Sequence, residues 1–148
     1  MFKKILLPTD GSEASERAGE YAISTANLNG ADIIVLNVID TSYLNSLPQR
    51  ELREKLDEEL REEGKISVEE FKKKIEDEQC AGNCKNIKLI TMVKQGRPAD
   101  VILETAEEDN VDHIVMGKSG KHGLERFLLG STTERVVRGA KVPVSIIV

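Results

Sequence analysis

Residues 116–136, Met-Gly-Lys-Ser-Gly-Lys-His-Gly-Leu-Glu-Arg-Phe-Leu-Leu-Gly-Ser-Thr-Thr-Glu-Arg-Val, hold the densest chemistry-bearing pattern in the chain. Gly117-Lys118-Ser119 is the tail of the phosphate-binding P-loop, G-x-x-x-x-G-K-[ST]. That motif needs a glycine five residues before Gly117, and Asp112 stands there. A P-loop also opens its helix at the Lys-Ser pair, whereas Gly120 and Gly123 prolong a loop here. The segment is not a P-loop. Gly117 and Gly120 instead admit positive φ and close backbone approach, and successive N–H groups in such a loop can form an anion nest. Gly130-Ser131 opens the next helix, whose free N–H groups and dipole favour a phosphate, and Thr132 and Thr133 extend its polar start. The same Gly-Ser-Thr is equally an ordinary helix cap. Lys118, Lys121, His122 and Arg126 make the loop locally basic within a chain of net charge −5, which suits a polyphosphate.

These residues need a scaffold, and the hydropathy pattern supplies one. Apolar runs of strand length alternate with segments of helical period. Strands are predicted over 3–7, 32–39, 86–94, 112–116 and 142–148. The run Asp32-Ile-Ile-Val-Leu-Asn-Val-Ile39 lacks polar alternation, as in a strand covered on both faces. Helices are predicted over 12–28, 48–79, 98–109 and 131–139. The first has Ala14, Ala18, Ala22 and Ala26 on one small-residue face, Asp10 or Ser12 as N-cap and Asn29-Gly30 as its stop. The second is predicted to break near Gly64 and to lay one stripe (Leu52, Leu56, Leu60, Val68, Phe71, Ile75) on the sheet. Its mixed-sign charges read as a solvated face with i,i+4 pairs. The order β-α-β-α-β-α-β-α-β with right-handed crossovers implies an α/β fold, an open parallel sheet with helices on both faces.

In such sheets ligands bind beyond the carboxyl ends of the strands. The unusual residues fall there: Pro8-Thr9-Asp10-Gly11, Asn37-Val38-Ile39-Asp40, Gly96-Arg97-Pro98 and the stretch Gly117 to Ser131. The 148 residues are the size of one domain, read as a single unit over 1–148, and the acidic balance disfavours nucleic acid as a partner. No apolar stretch has membrane-spanning or signal-peptide length, so a soluble cytoplasmic protein without a membrane partner is expected. Cys80 and Cys84 read as two ordinary thiols near a helix end, since Gly82 and Asn83 suggest a turn, with a redox pair as the alternative; no histidine lies near them in sequence, so no protein metal site is predicted.

The spacing Gly117-x2-Gly120-x9-Gly130-Ser131, after a strand ending in Met116, resembles the nucleotide loop of the universal stress protein family. The likeness extends to the opening KKILLPTDGSEAS, to IIVLNVID, to GRPADVILETAEEDNVDHIVMG and to the ending KVPVSIIV. It implies a Rossmann-like five-stranded sheet of order 3-2-1-4-5 and membership of the branch that binds ATP, with Mg2+ accompanying the nucleotide. By position, the resemblance puts Pro8, Thr9 and Asp10 beside the adenosine, with Asp10 near the ribose or a metal-linked phosphate. It puts Val38 on the adenine and Met116 and Gly117 along the nucleoside. Gly120, Gly130, Ser131 and Thr132 would hold phosphates. The bland alternatives are a helix cap for Asp10 and a core role for Val38. The family commonly has Ser or Thr followed by His or Arg after the first glycine, where this chain has Lys118-Ser119; Lys118 either adds charge at the triphosphate or faces water. The resemblance also implies a homodimer through residues 142–148, which an apolar edge strand favours on physical grounds. The implied function is an ATP-binding regulator in a stress response, acting on an unnamed protein partner. No catalytic residue is assigned, since Asp10 is the one acidic helper the motif offers. The alternatives are an ATP-hydrolysing enzyme on the same fold and a thiol sensor through Cys80 and Cys84.

Overall fold

The computed structural model describes residues 2–80, 87–118 and 129–148. In chain order its elements are β1 (Lys4–Pro8), α1 (Glu13–Asn29), β2 (Asp32–Asp40), the short α2 (Thr41–Asn45), α3 (Arg50–Lys74) with a π-helical turn at Ile75–Cys80, β3 (Leu89–Gly96), α4 (Pro98–Glu108), β4 (His113–Gly117), α5 (Ser131–Gly139) and β5 (Val144–Ile147). The strands form one parallel sheet in the order β3-β2-β1-β4-β5. The predicted fold class and strand order therefore hold, a Rossmann-like open sheet in which β1 and β4 flank the point where the order reverses.

Period-two alternation divides the core into two layers. Ile5, Leu7, Ile33, Val35 and Val115 face α1 and α3, where Ala18, Ala22, Ala26, Val68, Phe71 and Ile75 meet them. Leu6, Ile34, Leu36, Ile114 and Met116 face α4 and α5, against Ala99, Val101, Ile102, Ala106 and Val136. Each fully buried aliphatic side chain contributes about 1.5–3 kcal/mol. The alanine face of α1 is buried as predicted, and small side chains there let α1 lie close to the strands. Its amino end is capped by Ser12, whose side chain accepts from the Ser15 amide, and its carboxyl end by Gly30 at φ 67°.

Three expectations need correction. The long charged segment forms one helix, α3, which passes through Gly64 without a break, and the short α2 precedes it outside the predicted span. The reason is tertiary: Gly64 is buried, and a Cβ there would stand 2.8 Å from Asn37 Oδ1 and 3.2 Å from Val93 Cγ1. The apolar stripe on the sheet is Gly64, Val68 and Phe71, continued by Ile75, whereas Leu52 is 49% exposed. Because Gly64 stands opposite Asn37 near the carboxyl end of β2, the turns before it overhang the carboxyl edge. Lastly, β3 starts and ends later than predicted, and β5 is shorter. Arg97 caps α4, with Pro98 in its first turn, where its missing N–H costs nothing.

Candidate functional site

The sheet opens where β1 and β4 part. Their ladder consists of Ile5–His113 and Leu6–Ile114, while β1 stays paired with β2 as far as Pro8–Leu36. The Thr9 amide then donates to the Leu36 carbonyl at 2.8 Å, so the chain leaving β1 leans toward β2. This parting is the switch point, where open α/β sheets carry a crevice, and the segments that follow β1 and β4 flank it.

On the β1 side, Thr9 is 6% exposed, and its carbonyl accepts from Asn37 Nδ2 at 3.1 Å. The Gly11 amide donates to Thr9 Oγ1 at 3.2 Å, closing a turn in which Gly11 takes φ +80°, a conformation that favours glycine. Asp10 Oδ1 accepts from the Ser12 amide at 3.0 Å and from the Ser15 hydroxyl at 2.8 Å, while the Asp10 amide donates to Ser15 Oγ at 3.2 Å. Asp10 thus fixes the approach to α1, and Ser12 rather than Asp10 occupies the cap. Ser15, buried and bonded to this carboxylate, escaped the sequence reading. Its signal was present in Asp-Gly-Ser-x-x-Ser, where a second hydroxyl falls one helical turn beyond the cap.

On the β4 side, Met116 is buried in the α4–α5 layer and Gly117 ends the strand. A Cβ at Gly117 would lie 2.8 Å from Ala14 Cβ and 2.9 Å from both the carbonyl carbon and oxygen of Ala14. The glycine is needed for this close approach to the first turn of α1, not for positive φ, which corrects half of its expected role. Lys118 turns the chain: its amide donates to the Ile147 carbonyl at 2.9 Å, and its own carbonyl accepts from the Gly130 amide at 3.0 Å. The two ends of the glycine loop are thereby pinched together. Gly120, with Ser119, Lys121, His122 and Arg126, lies outside the described residues, as do Cys84 and the Cys80 side chain.

Gly130 is the N-cap of α5 and supplies no side-chain cap. Ser131 is exposed, Thr132 is half-buried and Thr133 is buried, its hydroxyl donating to the Gly117 carbonyl at 3.2 Å. That bond aims the amino end of α5 at the end of β4. The arrangement offers peptide N–H groups and the positive end of a helix dipole beside Gly117, the chemistry of an anion site. Val38 stands apart from this ring of contacts. It pairs with Lys94 across the β2–β3 ladder and packs against the α4–α5 layer, in keeping with its core reading. Among the described residues no group of three histidine, cysteine or acidic side chains is placed to hold a metal.

The profile of the universal stress protein family matches residues 1–147. The chain belongs to the universal stress protein family. Universal stress protein MJ0531 of Methanocaldococcus jannaschii is 40% identical over 99% of this chain and 82% of its own length. The solved structure of MJ0577, a universal stress protein of the same organism, superposes with a TM-score of 0.85 at 36% identity, covering 99% of this chain and 96% of that one. A universal stress protein from Archaeoglobus fulgidus, solved in complex with dAMP, has a TM-score of 0.61 at 21% identity over 100% and 98% of the two chains; it shares the fold. Among the described residues of this universal stress protein no helix is long and apolar enough to cross a membrane.

Proposed function

We propose that this universal stress protein binds ATP, brought with Mg2+, in the crevice between β1 and β4, and that occupancy sets its conformation or its choice of protein partner. The observation that carries the reading is the amino end of α5. It is capped only by a glycine and is held beside Gly117 by the Thr133–Gly117 bond, at the point where the strand order reverses. Gly130, Ser131 and Thr132 take the phosphates with Gly120, and Lys118 adds charge at the same place. Pro8, Thr9 and Asp10 line the adenosine with Met116 and Gly117, and Val38 contributes to the adenine side. The dAMP complex of a relative with this fold is in keeping with an adenine ligand here. The chain acts as one unit over 1–148, cytoplasmic, and pairs with a second copy along β5. Rapid hydrolysis is not part of the proposal, because Asp10 is the one acidic helper the motif offers and its Oδ1 already accepts two hydrogen bonds.

Freshly purified protein, denatured and examined by mass spectrometry, is expected to release an adenine nucleotide, or failing that to bind MgATP on titration. A folded protein that neither releases nor binds any adenine nucleotide overturns the reading. Valine at Gly130 is expected to weaken ATP at least tenfold by obstructing approach to the α5 amides.

A further inference from the structure

We propose that Asn37 is a positioning residue for the adenosine side of this site and that α3 sets its orientation; the proposal rests on the ATP reading above and deepens it. Asn37 lies on β2 one residue beyond Leu36, the last position paired with β1. Its Nδ2 donates to the Thr9 carbonyl at 3.1 Å, which fixes the peptide joining Thr9 to Asp10. That peptide carries the Asp10 amide, which donates to Ser15 Oγ, so the orientation of the whole turn follows from it.

The other end of the Asn37 amide is set by α3. A Cβ at Gly64 would stand 2.8 Å from Asn37 Oδ1 and 3.4 Å from its Cγ, so the helix backbone forms the wall against which the amide rests. A second contact repeats the connection one turn on, where a Cβ at Gly11 would lie 3.5 Å from Ser67 Oγ. Helix α3 therefore comes close to the Thr9–Gly11 turn at Ser67 and is linked to it through Gly64 and Asn37. Its overhanging amino-terminal turns are rigidly continuous with these contacts, since the helix is unbroken across Gly64. A ligand that shifts the turn shifts this helix, and displacement of the helix alters the turn.

The test uses Asn37→Ala, Gly64→Ala and the double variant, with ATP affinity and the backbone amide spectrum of the ligand-free protein as readouts. Gly64→Ala removes no side chain of the crevice and acts on the Asn37 amide through one methyl group. Each single variant is expected to shift the Asp10 and Gly11 amide resonances without ligand and to weaken ATP by about tenfold, the scale of one lost buried hydrogen bond. The double variant is expected to bind no more weakly than Asn37→Ala, because the methyl at 64 has no amide left to displace. Independent, multiplying losses overturn the coupling through Asn37. Asp10 and Gly11 resonances that ignore both single variants overturn the positioning role. A wild-type protein that binds no adenine nucleotide overturns the functional reading itself, a result separable from the first two because the spectra need no ligand.

Discussion

His113 is buried to 3% exposure at the start of β4, with its Nε2 2.8 Å from Ser145 Oγ, no partner for Nδ1 among the described residues and the Phe2 ring 4.1 Å away. Burial lowers its pKa below 6.5, and the neighbouring Asp112 carboxylate opposes this only in part. The folded protein therefore holds this proton less readily than the unfolded chain. The resulting stability is fully present above pH 6.5 and is lost as the pH falls from there through the folded pKa. Urea denaturation between pH 7 and 5 is expected to show the wild type losing more stability than His113→Gln, which can still bond Ser145 but cannot titrate. Parallel pH curves for the two proteins refute the assignment. Gly117 is constrained differently, by backbone atoms of Ala14 that have no rotamer to yield. Gly117→Ala is expected to destabilise by about 1–3 kcal/mol, an overpacking cost. It should also weaken ATP, because β4 and the amino end of α1 must separate at the crevice. An unchanged denaturation midpoint contradicts the close approach.

Gly19 on α1 faces Phe71 on α3 so closely that a Cβ at Gly19 would overlap the Phe71 ring at Cζ. Alanine for glycine inside a helix normally gains about 1 kcal/mol of propensity. Here the buried ring would have to move, and the overlap outweighs the propensity gain. Gly19→Ala is expected to lower the thermal midpoint, and adding Phe71→Leu to recover part of the loss. A stabilised Gly19→Ala shows that the ring moves freely. Elements such as these mark where sequence reading runs short. The alternation of strands and helices, the alanine face of α1 and the polar start of α5 were legible because each depends on local pattern (period, cap residues and turn residues), whereas the strand order followed only from the family resemblance. Gly64 was misread as a break because a glycine inside a charged helix carries the same local signal whether it interrupts the helix or admits a neighbour. Only the fold brings Asn37 against it. Gly117 was recognised as special, but crowding by Ala14 and a left-handed backbone demand the same residue type. The bond from Asn37 to Thr9 depends on register and rotamer, which no spacing rule encodes.

At the scale of the whole molecule the sheet has two outer strands, β3 and β5, and they differ in how well they resist pairing. Strand β3 carries Lys94 and Gln95, and Thr91 on it donates to Glu69 of α3. Strand β5 presents Val144, Ser145, Ile146 and Ile147 without a charge, followed by Val148 at 77% exposure. An uncharged apolar edge is a template for another strand, whereas lysine blunts one. The Ile114 amide donates to the Pro143 carbonyl and the Lys118 amide to the Ile147 carbonyl, so the odd-numbered residues of β5 direct their peptide groups toward β4. Those of Val144 and Ile146 point away from the sheet. Pairing with a second copy along this edge would satisfy them in a two-fold arrangement. Because the inner side of the same strand receives the Lys118 amide at Ile147, a dimer formed along β5 stiffens the base of the glycine loop in both copies. Ile146→Pro deletes one outward N–H and leaves the bonds to β4 intact. Sedimentation at micromolar concentration is expected to give twice the mass of one chain for the wild type and a single chain for folded Ile146→Pro, with weaker ATP binding in the variant. A wild type that remains monomeric defeats the pairing argument. A variant that remains dimeric moves the interface away from β5.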